Sequence, residues 1–92
     1  MSDRLTETRT RLDAVDDAIV ALLAERSALV AGLAAWKESR GLPFRDAARE
    51  EASMVRIAAV AAERGLDPAA VRAVFLAIVG RRLERDAPGG RG

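Results

Sequence analysis

"LDAVDDAIVALLAERSALV", residues 12–30, decides the fold. Its apolar residues recur three and four positions apart, the period of one face of an α-helix. The pattern extends in both directions. Leu5, Leu12, Ile19 and Leu33 fall on one heptad position, and Val15, Leu22, Leu29 and Trp36 on another. No glycine or proline interrupts before Gly32, and the first clear stop is "SRGLPFR" at 39–45. The spacing predicts one helix from about residue 4 to about residue 38, roughly 50 Å long. A compact chain of this size has a radius of gyration of about 12 Å. The remaining residues cannot cover such a rod, so it calls for a partner, most simply a second copy.

Two shorter helices follow. Asp46 is a good N-cap and Gly65 a good C′ residue, and between them Met54, Ile57, Ala58 and Ala61 form an apolar stripe. In "LDPAAV" Asp67 caps a third helix with Pro68 at its first position. That helix carries Val71, Val74, Phe75, Ile78 and Val79 and is expected to fray after about residue 85, where "APGGRG" cannot continue it. The expected fold class is all-α, with three helices per chain, one of them very long and N-terminal, in an intertwined helical homodimer. Residues 1–86 read as the helical domain and 87–92 as a flexible tail.

Composition narrows the function. The chain has 92 residues, half of them apolar, and its few aromatics are Trp36, Phe44 and Phe75. A net charge of +1 offers no global field for nucleic acid or anionic lipid. Cysteine and histidine are both absent, which removes disulfides, thiolate nucleophiles and ordinary zinc sites. The sequence shows neither a signal-peptide pattern nor an apolar run of membrane length, so a cytoplasmic protein without membrane contact is expected.

Charges sit where a core is expected. Arg26 occupies the heptad position of Ile19 and Leu33. Glu50 lies four residues before Met54 and seven before Ile57, extending the stripe of the second helix. Arg82 follows Ile78 by four, and Asp86 follows Arg82 by four. One reading is a structural ion-pair network, with Arg26 paired to Glu50. Such buried pairs roughly break even against apolar packing, so stability alone does not favour them. The other reading is an anion site, because guanidinium forks match carboxylates. Lys37 lies eleven residues after Arg26, about three turns, and returns to nearly the same face. Arg9 lies about 25 Å before Arg26 on the same rod, and so serves the same small ligand only from a second, antiparallel chain. Asp46, Arg49 and Glu50 gather at the start of the second helix, where Asp46 has a capping role and Glu50 gains from the helix dipole. Fixed cations, one or two carboxylates and an apolar wall suit a reaction driven by positioning and electrostatic complementarity, such as the unimolecular rearrangement of a dicarboxylate.

The order "R…LDAVDDAIVALLAER…K…P-F-RDAARE…GLDPAAVRAVFLAIV" resembles the all-helical AroQ-type chorismate mutases over nearly the whole chain, from Leu5 to about Asp86. The resemblance implies an isomerase of the shikimate pathway and aromatic amino acid biosynthesis. It would act as an intertwined homodimer with two shared sites, converting chorismate to prephenate by a Claisen rearrangement without cofactor or metal. Arg26 and a partner-chain Arg9 would hold the two substrate carboxylates. Lys37 would donate to the ether oxygen that gains charge as the C–O bond breaks. Arg49 would support the carboxylate end, and Asp46 and Glu50 would contact the ring hydroxyl side.

The third helix departs from that pattern. Asp86 stands where the family carries Gln or Glu as a second donor to the ether oxygen, and Arg82 where a small hydroxyl residue is common. An ionised Asp86 repels the developing charge and donates only when protonated. Losing one such donor costs on the order of 3 kcal/mol, about a hundredfold in rate. Three explanations stand beside one another. Arg82 or Arg85 supplies the donor; an activating shikimate-pathway enzyme reshapes the helix; or the substrate differs. Rival readings on the same fold are a 4-amino-4-deoxychorismate mutase, with Asp46 and Glu50 accepting from an amine, and an isochorismate-pyruvate lyase. The mutase-like loop "RDAARE" argues against the lyase. Outside enzymology the alternative is a helical dimerisation module.

Overall fold

A computed structural model describes residues 2–79. Three helices follow in order, α1 (Ser2–Ser39), α2 (Ala47–Glu63) and α3 (Pro68–Ile78). No strand occurs among the described residues. The all-α class and the very long first helix are as the sequence predicts. The described residues divide into two units, 2–29 and 30–79.

In the first unit, α1 carries its heptad stripe in the open. Leu5, Leu12, Val15 and Ile19 are exposed, and Leu22 and Leu29 keep 62% and 67% of their surface. Ser27 is the buried polar residue, with Arg26 half-buried beside it, and neither is without a partner.

In the second unit, α1 ends on a Schellman motif. Gly41 adopts φ 68°, the Leu42 amide bonds the Lys37 carbonyl at 2.9 Å, and the Gly41 amide bonds that of Glu38 at 3.1 Å. The same motif ends α2, where Gly65 has φ 77° and the Leu66 amide reaches the Ala61 carbonyl at 2.9 Å. Both turns use the left-handed conformation that only glycine adopts without strain. α2 and α3 pack together. Met54 and Ala61 are buried, while Ile57, Ala58, Val71 and Phe75 are half-buried. The predicted stripe of α2 is therefore the face that turns inward.

Two expectations need correction. α3 stops at Ile78, and Val79 leaves helical geometry at φ −64°, ψ 131°, well short of residue 85. Gly80 comes next in sequence, and glycine costs about 1 kcal/mol in a helix interior relative to alanine. Arg82, Asp86 and the 87–92 tail lie outside the described residues. In addition, α1 is long and apolar enough to cross a membrane by length and composition, with a mean hydropathy of 1.8 in its most apolar window. Glu25 and Arg26 sit together in the apolar part of that helix. A charge such as Arg costs about 2.5–3.5 kcal/mol at a bilayer centre. A helix that packs against protein accounts for the same pattern without that cost.

Candidate active site

The sequence "PFRDAARE", residues 43–50, builds one side of the site. Asp46 is the N-cap of α2, in extended geometry at φ −135°, and its Oδ1 accepts the Arg49 amide at 3.1 Å. Such a cap is worth about 1 kcal/mol. It leaves the other carboxylate oxygen of Asp46 available to a ligand.

The two residues between Pro43 and Asp46 are held by polar contacts. Lys37, at the end of α1, donates from Nζ to the Phe44 carbonyl at 3.1 Å and lies 5.9 Å from that residue's ring centre. An ammonium has three donors, so two remain for other acceptors. Arg45, the next residue, grips Glu50 with both arms of its guanidinium. Nε reaches Oε2 at 2.7 Å and Nη2 reaches Oε1 at 2.8 Å. Phe44 and Arg45 thus anchor the two groups expected to act as hydrogen-bond donor and acceptor toward substrate.

The Arg45–Glu50 pair has an electrostatic consequence. The fork of hydrogen bonds from Arg45 holds the Glu50 carboxyl below its ordinary range, and the guanidinium charge adds to this, while desolvation and nearby Asp46 oppose it. Arg45 is in turn raised, first by the hydrogen bonds and then by the charge of Glu50. Glu50 is thus an ionised acceptor at neutral pH.

Glu50 and Arg45 also wall a cleft of about 260 Å³, to which Glu51, Met54, Arg72 and Leu76 contribute. Small-molecule sites start near 300 Å³. Lys37, Asp46 and Arg49 do not line this cleft, so it gathers only part of the expected set. Arg49 is exposed on α2, and Arg9 is exposed on α1 in the other unit. Arg26 is half-buried on α1. Among the described residues no three His, Cys, Asp or Glu side chains gather to hold a metal ion.

Sequence reading missed Arg45. The structural network considered for Glu50 paired it with Arg26; the structure shows its carboxylate gripped by Arg45. The signal is the spacing. With Asp46 as N-cap, Arg45 is N′ and Glu50 is N4, the two positions that a hydrophobic staple joins across a helix start. Here an ion pair takes the place of the apolar contact.

A family model described as chorismate mutase type II matches residues 8–85. A chorismate mutase of Methanocaldococcus jannaschii is 34% identical over 67 residues, covering 73% of this chain and 68% of its own. No solved structure matches the chain.

Proposed function

The chain belongs to the type II chorismate mutase family, and on that premise we propose that it is an isomerase converting chorismate to prephenate. One observation carries the reading beyond family membership. A single loop anchors Lys37 through Phe44 and Glu50 through Arg45, and these are the donor and acceptor such a site needs.

The rearrangement breaks a C–O bond and forms a C–C bond within one dianion. No nucleophile or proton donor from the protein is consumed. What lowers the barrier is a compact substrate geometry together with cations placed where charge develops. Arg26 and Arg9 take the two carboxylates, Arg49 supports them, and Lys37 donates to the ether oxygen. Asp46 and Glu50 accept from the ring hydroxyl. Arg82 or Asp86 supplies the second donor to the ether oxygen, Asp86 only when protonated.

Two features belong to the same proposal. The open stripe of α1, with Leu12, Ile19, Leu22 and Leu29 all exposed, is the surface a second copy covers. The homodimer also delivers the partner-chain Arg9 that the site requires. We assign the enzyme to the cytoplasm, and an activating enzyme of the shikimate pathway is one of the three explanations for the departures at Arg82 and Asp86. Neither the amino-substituted substrate, the lyase nor the non-enzymatic module finds support in the family match.

The test is loss of chorismate absorbance with purified protein, with the product identified as prephenate by its conversion to phenylpyruvate in acid. Sedimentation of the same sample reads the dimer. Turnover by a dimer is expected. A dimer that turns over no chorismate, alone or mixed with the activating enzyme, overturns the assignment.

A further inference from the structure

The Arg45–Glu50 fork bears on which ring substituent the site accepts. An ionised carboxylate offers about four lone-pair directions, and the two bonds at 2.7 and 2.8 Å take one on each oxygen. The carboxylate keeps acceptor capacity, but its charge is already matched by a guanidinium. A neutral hydroxyl still finds a good acceptor there. At Glu50 an ammonium group finds a counter-ion whose charge Arg45 already matches. Arg45 and Glu50 both line the same cleft, so an occupant meets the Glu50 carboxylate in the state that Arg45 imposes on it.

Resting on the chorismate mutase reading, we propose that Arg45 is a specificity-determining positioning residue: it holds Glu50 as an acceptor for a hydroxyl-bearing dianion and against an amine-bearing one. Arg45 acts through Glu50 and does not itself touch the reacting atoms. An aliphatic amine on the substrate ring is largely protonated at neutral pH, so the two substrates differ by one full charge at this position. The loss of favourable charge pairing for the amine is what the fork imposes. The gain for the hydroxyl is a carboxylate whose rotation is fixed before substrate arrives.

The experiment compares kcat/KM for chorismate and for 4-amino-4-deoxychorismate in four proteins: wild type, Arg45→Gln, Glu50→Gln and the double variant. Arg45→Lys serves as the conservative control. In Arg45→Gln the preference for chorismate is expected to fall about fivefold, the size an exposed ion pair supports. Arg45→Lys keeps the charge and returns most of the preference. In the Glu50→Gln background, the Arg45→Gln change leaves the preference where it was. A merely structural role lowers both substrates together and leaves their ratio intact, which overturns the inference. So does an equal shift in the Glu50→Gln background, since Arg45 then acts by another route. A wild type inactive on both compounds removes the functional reading and this inference with it. A wild type active on chorismate with an unmoved ratio in Arg45→Gln removes this inference alone.

Discussion

The ammonium of Lys37 donates to the carbonyl of Phe44 at 3.1 Å, tying the last turn of α1 to the loop that leads into α2. The contact spans seven residues and sits beside the Schellman turn at Gly41. The end of α1 and the loop therefore hold the ammonium in place with one of its three donors. A donor fixed in advance suits a transition state in which charge builds on one oxygen. Lys37→Met is expected to lower kcat by about 10²–10³, the range for removing one such donor. Helical content by circular dichroism stays unchanged, since Lys37 is not part of a buried core. A variant with near-normal kcat would take Lys37 out of the chemistry.

Arg26→Ala is expected to abolish measurable turnover while leaving the dimer intact in sedimentation. Two carboxylates of a dianion need fixed cations, and a guanidinium fork lost at one of them is not replaced by solvent. Unfolding of the variant, in place of simple inactivity, would assign Arg26 to a structural network.

The two roles of Asp46 separate by substitution. Asp46→Ala removes the bond to the Arg49 amide and is expected to lower stability by about 1 kcal/mol in denaturant unfolding. Asp46→Asn is a good cap and restores that stability. If Asp46 also accepts from substrate, the Asn variant stays slow although it is stable. Equal recovery of stability and rate would leave Asp46 with capping alone.

Glu50 supplies a pH test. Its folded-state carboxyl lies below the ordinary value of 4.5, chiefly because of the hydrogen-bonded fork from Arg45. The sign follows from linkage. The contribution of the pair to stability is fully present above the unfolded value and is lost as pH falls through the depressed folded value. NMR of the side-chain carboxyl carbon is expected to place the Glu50 midpoint below 4.5, and Arg45→Gln moves it back up. A midpoint that does not move would show the fork to be unpopulated in solution.

Asp86→Gln is expected to raise kcat/KM, most visibly at neutral pH, because an amide donates to the ether oxygen where an ionised Asp86 repels it. Gln is also one methylene longer and extends the reach. The gain approaches about a hundredfold if the missing donor is the whole deficit. Unchanged or lower activity at every pH would exclude Asp86 from contact with the ether oxygen.

Periodicity and end chemistry were enough to read the helices. The three-and-four spacing from Leu5 to Trp36 dictates α1, Asp46 and Asp67 dictate two starts, and Gly41 and Gly65 mark two ends. These are local properties, set by helical period and by the steric freedom of glycine, so they are legible without a fold. The conflict between Arg26 and its apolar heptad was equally legible, and it directed attention to an anion site. The C-terminal end of α3 was not. Val71 to Val79 keep helical spacing throughout, yet Val79 turns extended, because apolar phase does not say where backbone bonding stops.

Partner choice is what the folded loop decided, although the N′ and N4 spacing of Arg45 and Glu50 was there to be read. Sequence spacing made Glu50 a candidate for Arg26 because both lie in phase with apolar stripes. The fold closes Arg45 onto Glu50 across the N-cap, five residues apart, at a spacing that the rules for helix interiors do not cover. Phe44 likewise has no sequence feature marking its carbonyl as the acceptor for Lys37. A side-chain pairing depends on where a turn places two backbones, and that follows from the dihedral angles of Gly41 through Asp46 acting together. The sequence by itself determined which residues are helical and which charges oppose the apolar pattern; the loop geometry determined that Glu50, one of those charges, meets Arg45, which lies outside the pattern.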